Sequence, residues 1–169
     1  MRRLSLVAVV LAASSGMLAA TNASAKLPAP VTLDGVSGVV PGQGRAEVQR
    51  RWGTPVRFYK DPPSPGCDQA DVRAGATKGY AIFLEKRFAA IFFFAGAATA
   101  EGVRIGSTTA QVVRAYPRAK SEPDKYLQGG KNFYVPGARY ELRIDVSNKG
   151  RVTQIAFGND AVHLVEGCL

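Results

Sequence analysis

Between residues 140 and 145 the chain alternates, with apolar Tyr140, Leu142 and Ile144 interleaved with Glu141, Arg143 and Asp145. A period of two places one set on each side of a pleated strand, so this stretch predicts a strand with one buried and one wet face. "NFYV" at 132–135 predicts a strand before it, and "SNKG" a turn leading back through "RVTQIAFG". The stretch "YAIFLEKRFAAIFFFAG", residues 80–96, reads in the same way. Its Tyr80, Ile82 and Leu84 match Tyr140, Leu142 and Ile144, and its Ala89, Ile91 and Phe93 match Thr153, Ile155 and Phe157.

Upstream of each strand group lies a glycine-rich turn followed by a helical pattern. "GVVPGQGRAEVQRRWG" (38–53) and "GVRIGSTTAQVVRAYP" (102–117) align without a gap, sharing Gly38/Gly102, Val39/Val103, Gly42/Gly106, Ala46/Ala110, Val48/Val112 and Arg50/Arg114. Val48 and Trp52, like Val112 and Tyr116, fall one helical turn apart on one face. Thr108 with Gln111 three residues later forms a capping-box pattern, whereas Gly44 caps poorly. Gly53 suits a left-handed helix end, and Pro117 cannot continue a helix. The two copies differ in length only in the segments joining these elements, where insertions are tolerated.

The fold class these patterns predict is α+β, a tandem repeat of a short helix packed on a small antiparallel β-sheet. Repeat 1 spans residues 36–98 and repeat 2 spans 99–169. "HLVEGCL" near the chain end is expected to add a tail strand to repeat 2.

The start of the chain modifies this picture. Arg2 and Arg3, the apolar run from Leu4 to Ala13, and Ala23-Ser24-Ala25 make residues 1–25 a secretory signal peptide, its apolar part too short to span a bilayer. Residues 26–35, with two prolines in "KLPAPVTL", are expected to be an extended lead-in. Stable membrane insertion after cleavage is not expected. The formal net charge is +9, but its basic residues are scattered singly or in adjacent pairs from Arg45 to Arg151 without a dense aromatic-interleaved run. No nucleic-acid footprint follows from that pattern.

Export gives the two cysteines, Cys67 and Cys168, an oxidising destination. A disulfide between them is expected, closing a loop of roughly 100 residues and stabilising by up to about 4.7 kcal/mol on the chain-entropy account.

Catalytic motifs are missing. His163 is the single histidine, and no nucleophile–base spacing surrounds it. No His, Cys, Asp and Glu cluster has metal-ligand spacing, and neither glycine turn carries a phosphate-loop lysine or a dinucleotide fingerprint. No catalytic residue, metal or cofactor is assigned. Glu85, Glu141 and Asp145 leave open a small envelope hydrolase working through carboxylates, and the phenylalanines of the first copy an apolar-ligand carrier.

One surface carries more information. If Tyr80, Ile82 and Leu84 face the core, Phe83 points to the other side of the sheet, and Phe92 and Phe94 do so on the neighbouring strand. Either residues 56–79 cover that face, or it shows water an aromatic patch fit for a protein partner. The matching positions in the second copy, Arg143, Ala156 and Gly158, are smaller and more polar.

The pattern of G-x-x-x-G, a helix with Val and an aromatic one turn apart, and a return through two strands resembles the outer-membrane assembly lipoprotein BamE and the tandem-repeat beta-lactamase inhibitor proteins of actinobacteria. The ending "VEGC" is similar to that of small secreted actinobacterial proteins of unknown function. The inhibitor resemblance implies joined sheets forming a concave surface that grips another protein, although the cysteines here lie differently and no inhibitory loop stands out. The functional expectation is a secreted, non-catalytic module that binds an unidentified protein at the cell envelope or outside the cell. Its candidate contacts are Phe83, Phe92, Phe94, Glu141 and Arg143.

Overall fold

A computed structural model of the chain describes residues 30–54, 56–59, 64–164 and 166–168. The expected signal peptide, residues 1–25, and residues 26–29 of the expected lead-in lie outside the described residues. In order, the elements are β1 (Val31–Thr32), β2 (Gly35–Val36), α1 (Arg45–Trp52), β3 (Val56–Phe58), β4 (Cys67–Ala74), β5 (Thr77–Leu84) and β6 (Arg87–Ala95). They continue with α2 (Thr109–Ala115), β7 (Lys120–Pro123), β8 (Lys131–Pro136), β9 (Glu141–Val146), β10 (Val152–Gly158) and a turn of 3-10 helix at Asp160–His163.

Both helices form where the spacing predicts. At α2, Gln111 N–H donates to Thr108 Oγ1 at 3.2 Å and Thr108 N–H to Gln111 Oε1 at 2.7 Å, closing the capping box. At α1, Gly44 supplies no side-chain cap, and Gly53 ends the helix at φ 62°, its N–H donating to Gln49 O. The turns before the two helices are held alike. Gly42 N–H donates to Phe88 O and Gly106 N–H to Val152 O, each at 2.8 Å.

The assembly above this local likeness differs from expectation, and the α+β tandem repeat is corrected. The chain is mostly β, and its strands make one eight-stranded antiparallel sheet in the order β3-β4-β5-β6-β10-β9-β8-β7, with helices of only eight and seven residues. The two groups of strands meet where β6 and β10 pair, with Ile155 opposite Phe93 and Phe157 opposite Ile91. The physical reason lies in β6, buried on both faces from Phe88 to Phe93. A strand that is apolar on both sides belongs inside a sheet, not at an edge. Residues 56–79, expected to be a long loop, supply β3 and β4.

Two cores result. On the helix side, Trp52, Phe83, Phe88, Phe93, Leu142, Ile144 and Phe157 pack beneath α1, α2 and the β1–β2 hairpin. On the opposite side, Ile82, Ala90, Phe92 and Ala156 are covered by Ala161, Val162 and Cys168 of the chain end. The tail strand expected at residues 163–169 is therefore also corrected: Asp160–His163 is 3-10 helix laid across the sheet, with Asn159 N–H donating to Ala89 O at 3.0 Å. Of the rest of that stretch, Leu164 and residues 166–168 belong to no strand. The disulfide Cys67–Cys168 is present, with Cα atoms 5.5 Å apart, and pins this tail to the start of β4.

Candidate binding surface

Cross-strand register builds a row of side chains across the tail-covered side of the sheet. Arg57 stands opposite Asp71, Asp71 opposite Tyr80, and Tyr80 opposite Phe92. The row runs on through Ala156, Arg143, Tyr134 and Lys120. Small Ala156 at the centre leaves aromatic rings on one flank and the Arg143 guanidinium on the other. Tyr80 stacks on Phe92 with centroids 4.8 Å apart, and Arg143 lies 5.8 Å from the centre of the Phe92 ring.

Arg143 is the hub of the polar side of the row. Its Nε and Nη2 donate to Asp145 Oδ1 and Oδ2 at 2.7 and 2.8 Å, and its Nη1 to Val162 O at 2.7 Å. Burial disfavours the guanidinium charge, but the two bonds from Asp145 more than offset it and hold the pKa above its ordinary value. With its amide nitrogen turned to the carboxylates, Asn132 donates to Asp124 Oδ2 at 3.0 Å and to Asp145 Oδ1 at 3.1 Å. Nearby, His163 Nε2 sits 2.8 Å from Glu141 Oε2, and its ring stacks on Tyr134 at 4.6 Å. Tyr126 OH bonds Glu166, adding a contact to the tail from residues 124–130. Burial pushes the Tyr80 phenol up to about 12, against the lowering effect of Arg143, and raises Tyr134 as well.

The five expected contact residues thus separate. Phe83 is on the helix side, fully buried, with Phe58 and Phe88 rings 5.1 and 5.8 Å away. Phe92 is on the other side, fully buried under the tail and beside Tyr80, not facing away from it. A bulge between Ile82 and Phe83 in the β5–β6 pairing leaves Ala89 without a partner and shifts the register between Phe88 and Ala90, and that shift cannot be read from alternation alone. Arg143 is buried, Glu141 is half-buried against His163, and Phe94 alone of the five is open, at 46% exposure. The cover over Phe92 is the tail, not residues 56–79.

Sequence reasoning missed Tyr59, Arg57, Arg73, Lys78 and Tyr80, all on this same side of β3–β5. Alternation in "DVRA" of β4, apolar Val72 between Asp71 and Arg73, is the signal that could have found the strand.

The fold and this surface define a class: a single antiparallel sheet, helices on one side, the other side partly strapped by a disulfide-anchored tail. No protein-family model and no curated protein matches the sequence. Among solved structures, the chain folds like an extracellular protein containing a SCP domain from Bacillus anthracis str. Ames, at 12% identity and TM-score 0.53, over 73% of this chain and 45% of that one. It is similar also to a cysteine-rich secretory protein from Staphylococcus aureus subsp. aureus Mu50, at 11% identity and TM-score 0.51, over 82% of this chain and 48% of that one. The chain spans about half the length of each, and at such identity the likeness is one of fold. The resemblance to BamE and to the beta-lactamase inhibitor proteins is corrected by these neighbours and by the single large sheet.

Proposed function

We propose that the chain is a secreted, non-catalytic binding module that engages a protein partner through the part of the sheet face its tail leaves open. The observation that carries this reading is Phe94, 46% exposed and two residues along β6 from Phe92, which is buried and stacks on the half-buried Tyr80. An aromatic side chain held open on a rigid strand is the kind of anchor that dominates protein interfaces. Secretion is supported by the pattern of residues 1–25, by the Cys67–Cys168 bridge, and by the extracellular proteins that share the fold. Among the described residues no helix is long and apolar enough to cross a membrane.

The test is capture from culture fluid and envelope extract by immobilised mature protein, run beside Phe94→Ala. A protein retained by the parent and lost with the variant is the expected result. Retention unchanged by Phe94→Ala, with the variant folded, would remove this face as the binding site.

A further inference from the structure

We infer that the partner presents an acidic residue and, two residues further along an extended segment, an apolar one, to the β4–β6 part of this face; the inference rests on the sheet-binding reading above. In the β4–β5 register Arg73 stands directly opposite Lys78, and both side chains are exposed. Like charges at directly opposed positions have Cβ atoms about 5 Å apart and destabilise the pairing. Exposed Arg57 on β3 adds a third cation to the same side. Among the described residues the acid beside them is Asp71, and it is already engaged: Tyr59 OH donates to its Oδ1 at 3.0 Å and Arg73 Nη2 to its Oδ2 at 3.5 Å. A carboxylate seated between Arg73 and Lys78 relieves their repulsion and gains charge-assisted bonds, with Arg offering a two-pronged fork.

The apolar half of the motif comes from Phe94. The seat between Arg73 and Lys78 lies about one and a half strand spacings from β6, about 7 Å. Two residues of extended chain span about 7 Å as well, and the period of two points both side chains at the sheet. A segment crossing the strands thus places a carboxylate on the cations and an apolar side chain on Phe94. This pairing favours a peptide over a uniform polyanion, which offers nothing to the ring.

The test is a library of extended peptides with acidic and apolar residues at varied spacing, read by fluorescence anisotropy against the folded mature protein, with inorganic polyphosphate as a second probe. The parent is expected to prefer an acidic residue with an apolar one two positions on, and to weaken with added salt. Arg73→Glu/Lys78→Glu should lower affinity for the preferred peptide at least tenfold, while Phe94→Ala should lose the apolar preference and keep the acidic one. Peptide binding that depends on Phe94 without an acidic preference would overturn this inference and leave the sheet-binding reading standing. Polyphosphate bound as tightly as the best peptide would overturn the peptide partner, and no binding to any peptide would overturn this inference, the capture experiment then deciding the sheet-binding reading.

Discussion

Arg143 and Asp145 form a two-pronged ion pair on one strand, two residues apart and on the same side, with both carboxylate oxygens occupied at 2.7 and 2.8 Å. The third arm of the guanidinium reaches Val162 O, so the pair fastens the tail as well as neutralising itself. Taking both charges out of water is costly, and the pair is tolerated because every arm finds a partner. Arg143→Met removes one charge and strands the other. The expected loss is about 3 to 5 kcal/mol in urea unfolding, with the double variant Arg143→Met/Asp145→Leu recovering much of it. A single variant as stable as the parent would show that Asp145 is not held in a dry site.

The disulfide holds the same tail from its other end. Cys67 and Cys168 are 101 residues apart in sequence, so the bridge restricts a long stretch of the unfolded chain. Cys67→Ala/Cys168→Ala should lower stability by about 3 to 5 kcal/mol. The contacts of Arg143 and His163 remain, so the variant should stay folded at moderate temperature, with faster protease cleavage after Gly158. Equal cleavage in parent and variant would mean that those contacts alone hold the tail.

What was legible in the chain was local. Thr108 and Gln111 announce the start of α2, Gly53 the end of α1, and the alternation around Leu142 a strand, because each signal lies within a few residues. The wet face expected of that strand is instead buried, with Arg143 and Asp145 under the tail. The single sheet was not legible in that way. Which strand pairs with β6 is decided by burial of Phe88 to Phe93 on both faces, a tertiary preference that no turn encodes. β7 was invisible for a different reason: Lys120–Pro123 has no apolar residue, and all four are exposed, so backbone pairing to β8 is its whole signal. At the surface, Phe94 was legible because it is surplus to the core. Arg73 and Lys78 were not, since their opposition exists only once β4 and β5 are in register.

That register separates two phenylalanines that alternation had grouped together. Phe83 contributes to the helix-side core against Phe58 and Phe88, and Phe94 is open. Phe83→Ala should cost about 3 to 5 kcal/mol through lost burial and a residual cavity. Phe94→Ala should stay within about 0.5 kcal/mol of the parent, as surface substitutions do. Thermal melts of the two variants check this, and a large loss for Phe94→Ala would mean that its ring packs on the fold.

Tyr80 makes the sheet face sensitive to alkaline pH. Its phenol, desolvated against Phe92, ionises at about 12 in the folded protein against 10.0 for an ordinary tyrosine. The unfolded chain therefore gives up this proton first as pH rises. Tyr80's contribution to stability is complete below pH 10, falls between about 10 and 12, and is gone above that window. Lysines also titrate there, so the informative quantity is the difference between the parent and Tyr80→Phe. Urea midpoints at pH 8 and near the top of the window should show the parent losing about 2 kcal/mol more than the variant, since each pKa unit corresponds to about 1.4 kcal/mol. Equal losses would mean that the phenol is hydrated when folded and that the Tyr80–Phe92 stack is open to water.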